Sequence, residues 1–216
     1  MASTAALPSA CLFDLDGLLL NTEPLHAEAW SEAIRHYGGN PTPELLLSLR
    51  GRNKFDNARS VIDTLALACS VDGLLSVQQP LARAKVKAAQ PMPGAEALVQ
   101  RCSALGIPMA IATSSGRQAC AIKLAPHGWL NAIAVQVCGD DPEVSAGKPA
   151  PDIFEQAARQ LGVPPQECWA FEDAVAGAQA ALAAGCRVFV VPAPGLGPEH
   201  YPAAATLLPR LDAINL

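Results

Sequence analysis

The stretch ACLFDLDG, residues 10–17, opens with apolar residues and ends with two aspartates and a glycine. A short apolar run without alternation is typical of a strand that is buried on both faces, as strands of parallel sheets are. Two carboxylates directly after such a strand are costly unless a positive charge lies between them. Mg²⁺ would supply that charge, because it prefers oxygen ligands and binds carboxylates together with phosphate groups. A turn that carries two solvated aspartates fits this stretch equally well.

Further apolar runs of this kind follow along the chain and alternate with helix-like patterns. The predicted strands are 10–13, 108–112, 132–137, 168–171 and 187–191. The predicted helices between them are 95–105, 116–127, 153–161 and 174–184. Strand and helix in alternation predict an α/β fold, in which helices cover both faces of a doubly wound, Rossmann-like parallel sheet.

A long helical segment interrupts this alternation after the first strand. Its helix-like patterns lie at 24–37, 54–67 and 76–89, with no strand between them. The stretch PMPG, residues 91–94, is stiff and turn-forming and would mark the return to the sheet. We therefore predict a core domain of residues 1–21 and 92–216 and an inserted helical cap of residues 22–91.

Groups that suit phosphate or metal chemistry also accompany the other predicted strands. Thr113 and Ser114 precede a helix whose free amides could hold a phosphate. Lys148 lies beside two prolines, which stiffen the loop that presents it. Glu172 and Asp173 follow the fourth strand. Each group has an ordinary alternative as a helix cap, a solvated charge or a helix-dipole partner, but together they favour one site, because α/β sheets bind ligands at this edge.

Four blocks of the sequence resemble, in this order, the signature motifs of the haloacid dehalogenase superfamily of phosphotransferases. They are LFDLDGLLLNTEPLH (residues 12–26), ATSS (112–115), GKPAPDIF (147–154) and FEDAVAGAQAALAAG (171–185). The helical segment between the first two blocks resembles the cap of the cap-bearing branch. The resemblance covers nearly the whole chain.

The resemblance implies a mechanism in which Asp14 attacks phosphorus and forms an aspartyl-phosphate. Asp16 would protonate the leaving oxygen and then activate water. Thr113 and Lys148 would bind and orient the transferring phosphoryl group. The groups that would hold Mg²⁺ are the Asp14 carboxylate, the main-chain carbonyl of Asp16, Asp173 and, directly or through water, Glu172.

Within this superfamily the chain is similar both to GS1-type phosphatases and to β-phosphoglucomutase. The blocks at 91–95, 112–115 and 139–144 favour the phosphatases. His26 falls at a hinge-histidine position of the mutase, but Lys54 replaces its cap arginine. We therefore expect a phosphatase for a small sugar, polyol or nucleoside phosphate, with a phosphosugar mutase or a non-catalytic binding protein as alternatives. The side chains expected to contact the substrate are those of Ser114, His26, Arg52 and Lys54.

The bulk composition argues against several other partners. The formal net charge is −5 and the basic residues form no cluster, so we expect no nucleic-acid partner. No segment approaches the ~20 apolar residues of a membrane helix. The seven cysteines form no CxxC pair, which is typical of reduced thiols in the cytosol. Residues 1–10 lack the basic start of an export signal, and we expect a cytoplasmic monomer.

Overall fold

A six-stranded parallel sheet is the centre of the computed structural model, which describes residues 7–50 and 52–216. Its strands are β1 (Ala10–Phe13), β2 (Met109–Thr113), β3 (Val135–Cys138), β4 (Cys168–Glu172), β5 (Arg187–Val190) and β6 (Thr206–Leu207). Their order is β3-β2-β1-β4-β5-β6, and all neighbouring strands are parallel. The predicted doubly wound parallel sheet is confirmed. The expectation that residues 1–10 carry no export signal falls partly outside the described residues, which exclude residues 1–6.

Among the described residues, helices separate consecutive strands from β1 to β5, with five of them between β1 and β2 and one in each later gap. They are α1 (Glu23–His36), α2 (Pro43–Ser48), α3 (Lys54–Leu65), α4 (Val71–Lys85), α5 (Ala95–Ala104), α6 (Arg117–Leu124), α7 (Asp152–Leu161) and α8 (Val175–Ala183). In the described part of the chain, none of them combines the length and the apolar composition needed to cross a bilayer.

Both faces of the sheet are buried, because side chains alternate between them along each strand. On β1, Cys11 and Phe13 join an apolar cluster that includes residues of α5, whereas Ala10 and Leu12 join a second cluster with residues of α7 and α8. Phe13 stacks on Phe171 of β4, with ring centroids 5.0 Å apart. This two-sided packing explains why the strands are continuous apolar runs.

The helices α1–α4 surround an apolar cluster of their own, which includes Trp30, Ile34, Val61 and Leu74. The two segments that connect these helices to the sheet pair with each other side by side. Leu20 and Pro91 form an antiparallel bridge, and the amide of Met92 donates to the carbonyl of Leu19 at 2.9 Å. The division into a core domain and a cap stays a prediction.

The structure differs from the sequence-based expectation in several short elements. Helix α2 was not predicted, because it has too few residues for a periodic pattern; its start is fixed by Thr42, which accepts from the amide of Leu45 at 3.2 Å. The two-residue strand β6 was missed for the same reason. Helix α4 begins at Val71 rather than residue 76, after the N-cap Ser70.

Two predicted boundaries near the sheet also shift. The predicted helix 116–127 ends at Leu124. The predicted strand 132–137 becomes Val135–Cys138, because residues 128–132 form a short 3-10 helix and only the later residues pair with β2.

Candidate active site

The predicted chemical groups meet at the carboxyl edge of the sheet, next to its central strand. β1 lies between β2 and β4, and Phe13 is in register with Ile111 and Phe171 of these neighbours. Asp14 therefore leaves β1 at the level where β4 ends in Glu172. Strands β2 and β3 lie on one side of β1, and β4, β5 and β6 lie on the other side. The strand order therefore reverses at β1, which makes this edge a topological switch point. Such crevices are where open α/β sheets bind ligands.

Lys148 forms the buried centre of this edge. Its ammonium donates to Asp14 Oδ1 at 2.5 Å, to Glu172 Oε1 at 2.5 Å and to the carbonyl of Ala112 at 3.0 Å. These contacts use all three of its N–H donors, and only 6% of the residue is exposed. Lys148 therefore ties the ends of β1, β2 and β4 together and holds the Asp14 carboxylate in one orientation.

Asp14, Glu172 and Asp173 form an acidic cluster, with ligand oxygens that all lie within 4.8 Å of one another. Lys148 pairs with two of these three buried carboxylates, Asp14 and Glu172. Burial raises the pKa of Asp14 to about 8, although Lys148 acts in the opposite direction. Burial and the neighbouring Glu172 raise the pKa of Asp173 well above its ordinary value. The cluster has more carboxylates than Lys148 pairs with and offers only oxygen ligands, and these two properties fit a Mg²⁺ ion.

Gly17 allows the turn after β1 to approach Asp173 closely. Its φ is +87°, and a Cβ atom at this position would lie 2.3 Å from Asp173 Oδ2 and 3.1 Å from Glu23 Cγ. Any side chain would therefore push the Asp173 carboxylate away from the turn, besides being strained by the left-handed backbone.

Asp16 is two residues from Asp14 but lies in a different environment. Its carboxylate accepts from Thr22 Oγ1 at 2.6 Å and from Ser115 Oγ at 2.8 Å, and it pairs with Lys123 Nζ at 2.5 Å. His26 Nε2 lies 3.4 Å away. Burial acts to raise the pKa of Asp16, but Lys123 and His26 together hold it well below its ordinary value. The two aspartates therefore have different electrostatic surroundings and can take different chemical roles.

The end of β2 supplies hydroxyl groups to the same edge. Thr113 is fully buried; its Oγ1 accepts from the amide of Ser115 at 3.1 Å and lies 3.4 Å from Asp16 Oδ2. Ser114 lies in the turn that follows and lines the cleft above the sheet edge.

The cleft has a volume of about 730 Å³, and helices α1, α3 and α4 contribute to its walls. All three of the side chains predicted in the cap to contact the substrate line it: His26 on α1, Arg52 before α3 and Lys54 at the start of α3. Lys54 is exposed and donates to Gln79 Oε1 at 3.2 Å. The structure therefore brings every predicted site residue to this cleft or to the acidic cluster at its floor.

Sequence reasoning missed two groups at this site, Lys123 and Ser115. Lys123 lies on the inward face of α6, three residues after the buried Cys120. That spacing is the one signal in the sequence that could have identified it, because positions three apart share a helix face. Ser115 lies in the ATSS block, but the sequence predicts no separate role for it.

Tyr201 is a third group that sequence reasoning missed. It supports the backbone of the acidic cluster through hydrogen bonds. Its hydroxyl donates to the carbonyl of Asp173 at 2.7 Å and accepts from the amide of Ala193 at 3.0 Å. The side chain is buried, so these are protected hydrogen bonds. Tyr201 therefore fixes the backbone that carries Asp173.

Replacing Tyr201 by phenylalanine is expected to lower the free energy of unfolding by about 1–3 kcal/mol, because a buried carbonyl and a buried amide lose their partner. Urea unfolding in EDTA measures this change. Tyr37→Phe is the matched control, since the described residues give its hydroxyl no hydrogen bond, and it should change stability by less than about 0.5 kcal/mol. Equal stabilities of the two variants would contradict the conclusion that Tyr201 stabilises the backbone at Asp173.

Comparison with known proteins adds three similarities to this geometry. The family model of the haloacid dehalogenase-like hydrolases matches residues 8–185. A probable pseudouridine-5'-phosphatase of Drosophila melanogaster is 38% identical over 205 residues, which are 93% of this chain and 89% of that protein. The bifunctional riboflavin kinase/FMN phosphatase of Arabidopsis thaliana is 34% identical over 99% of this chain, which spans only 56% of that relative.

A solved structure has the same fold over nearly its whole length. CbbY from Rhodobacter sphaeroides, crystallised in complex with phosphate, superposes with a TM-score of 0.81 at 26% identity. The superposition covers 95% of this chain and 96% of CbbY. The helices between β1 and β2 are therefore included in the similarity.

Proposed function

The chain belongs to the haloacid dehalogenase-like hydrolase family, and on that premise we propose that it is a Mg²⁺-dependent phosphatase for a small phosphomonoester. The observation that carries the proposal is the buried Lys148, which holds Asp14 within the acidic cluster and below an open cleft. The names of the two similar proteins, a pseudouridine-5'-phosphatase and an FMN phosphatase, support this substrate class.

In the proposed first half-reaction, a carboxylate oxygen of Asp14 attacks the phosphorus of the ester. The bond between phosphorus and the leaving oxygen breaks, and the phosphoryl group becomes an aspartyl-phosphate. Lys148 holds the nucleophile through Oδ1 and adds positive charge beside the phosphoryl oxygens. Phosphoryl transfer depends mainly on such positioning and charge compensation.

Asp16 is proposed as the acid–base residue of both half-reactions. An anionic ester bound beside Asp16 would raise its pKa again, and the proton that Asp16 then takes up would pass to the leaving oxygen, so that the first product departs as a neutral alcohol. The carboxylate would then take a proton from water, whose oxygen attacks the aspartyl-phosphate and releases inorganic phosphate. The proposal is supported by the position of Asp16 on the wall of the same cleft as Asp14.

The remaining predicted residues would bind the substrate and the metal. Mg²⁺, when bound by Asp14 and Asp173 with the Asp16 carbonyl and Glu172, would supply compensation for the charge on the phosphoryl group. Thr113 and Ser114 would donate hydrogen bonds to the phosphoryl oxygens. The side chains proposed to contact the leaving group are His26, Arg52 and Lys54, which line the opposite part of the cleft.

A phosphate-release screen with Mg²⁺ over sugar, polyol and nucleoside monophosphates tests this proposal. We expect turnover of at least one class, and we expect EDTA to lower it by about 100-fold or more, because the acidic cluster then lacks its compensating charge. Conversion of β-glucose 1-phosphate to glucose 6-phosphate faster than phosphate release would instead assign a mutase. Binding without turnover across the whole panel would assign a non-catalytic protein.

A further inference from the structure

Lys123 is a fully buried lysine that the proposed mechanism leaves without a role. Taking an ammonium out of water costs several kcal/mol unless a partner of opposite charge compensates it. The partner here is Asp16, which is 107 residues away in the sequence and 2.5 Å away in space. The packing of α6 on the sheet edge therefore brings a positive charge specifically to this carboxylate.

Lys123, Ser115 and Asp16 form a closed triangle of polar contacts. Lys123 Nζ donates to Asp16 Oδ1 at 2.5 Å and to Ser115 Oγ at 2.7 Å. Ser115 Oγ in turn donates to Asp16 Oδ2 at 2.8 Å. Both oxygens of the Asp16 carboxylate are thus held from the α6 side, and Thr22 holds Oδ1 from the side of α1.

The edge of the sheet therefore contains two separate pairs of an aspartate and a buried lysine. Lys148 binds Asp14 and Lys123 binds Asp16. Lys123 lies at the wall of the cleft but has no exposed surface, and its ammonium is bound to Asp16 and Ser115. The contacts are those of a group that acts on Asp16 and not on the phosphate.

We infer that Lys123, together with Ser115, is a positioning residue that fixes the orientation in which Asp16 carries out acid–base catalysis. This inference rests on the proposed phosphatase function. It predicts that the loss of activity on replacing Lys123 increases with the dependence of the reaction on proton transfer from Asp16. An ester with a poor leaving group needs protonation of the leaving oxygen, whereas an ester whose leaving group is a stable anion does not.

The test compares Lys123→Met with the parent protein on phenyl phosphate and p-nitrophenyl phosphate. kcat/KM reports the steps up to aspartyl-phosphate formation, in which only the phenyl ester depends strongly on a proton donor. We expect kcat/KM to fall by about 10- to 100-fold for phenyl phosphate, but by less than about threefold for p-nitrophenyl phosphate. KM should change less than kcat on phenyl phosphate, because the ammonium of Lys123 is bound to Asp16 and Ser115.

A double-mutant cycle with Asp16→Asn tests whether Lys123 acts through Asp16. The double variant should be no slower than Asp16→Asn alone, within about threefold, because residues that act as one unit give non-additive effects. Lys85→Met is the matched control, since Lys85 pairs with Glu28 and Glu32 on an exposed face away from the cleft. It should leave the ratio between the two esters unchanged.

Ser115→Ala keeps the test decisive if Lys123→Met does not fold, because it removes only the hydroxyl of the triangle. It should show the same dependence on the leaving group with a smaller loss. Equal losses on both esters, additive effects in the cycle, or a rise in KM alone would each overturn the inference while leaving the phosphatase proposal intact. A parent protein that releases phosphate from no ester would overturn both.

Discussion

Asp14→Asn is expected to reduce phosphate release by roughly 10⁴-fold or more, because an amide cannot attack phosphorus in place of a carboxylate. The substitution is nearly isosteric, and an amide oxygen can still accept the hydrogen bond from Lys148 that Asp14 Oδ1 accepts at 2.5 Å. The variant should therefore fold like the parent protein. Its loss of activity would then belong to the chemical step.

Two measurements make this prediction specific. Phosphate release is followed with the best substrate of the screen, and the acid-quenched protein is examined by mass spectrometry for a phosphorylated aspartate. The parent should carry the adduct during turnover and the variant should not. Asp72→Asn, an exposed substitution in the first turn of α4, is the control and should stay within about twofold of the parent. Turnover by Asp14→Asn within about tenfold of the parent would mean that another group is the nucleophile.

Lys148→Met is expected to have the largest combined effect on stability and activity. The ammonium lies 2.5 Å from both Asp14 and Glu172, and all of these side chains are buried. Removing one partner of such a network leaves uncompensated buried charge, which costs about 3–5 kcal/mol. Activity should fall by about 10³-fold or more, since a positive charge that faces the transferring group is lost.

Urea unfolding in EDTA and in Mg²⁺ separates these two effects. Adding Glu172→Gln to Lys148→Met removes one of the uncompensated carboxylates, so the double variant should regain part of the lost stability. It should regain no activity, because the phosphoryl group still lacks the ammonium. Lys85→Met makes the same change in an exposed pair and should leave the unfolding midpoint unchanged. A fully stable Lys148→Met variant would show that the two carboxylates do not need this charge.

The sequence determined the sheet and its chemically active edge. The strands on both sides of β1 are continuous apolar runs because they are buried on both faces, and this property is visible without coordinates. Parallel strands end at the same edge, so the order of the motifs was enough to predict that Asp14, Thr113, Glu172 and Asp173 lie together. The position of Lys148 was predicted from the same pattern, because its loop also lies at that edge.

The helices before β2 were predicted less completely. Periodicity identified α1, α3 and part of α4, but the six-residue α2 is too short to show a periodic pattern. The presence of His26, Arg52 and Lys54 on the cleft wall depended on how these helices pack, which spacing along the chain does not specify.

Tertiary structure alone decided which buried charge meets which partner. Lys123 looked like an ordinary helix lysine until α6 packed against the sheet edge and brought its ammonium to Asp16. Tyr201 reached the carbonyl of Asp173 in the same way, across 28 residues. Local patterns record which face of an element is apolar, because solvent exposure repeats with each turn or pleat. Pairs between distant side chains leave no such periodic trace, because they form only when separate elements have packed together.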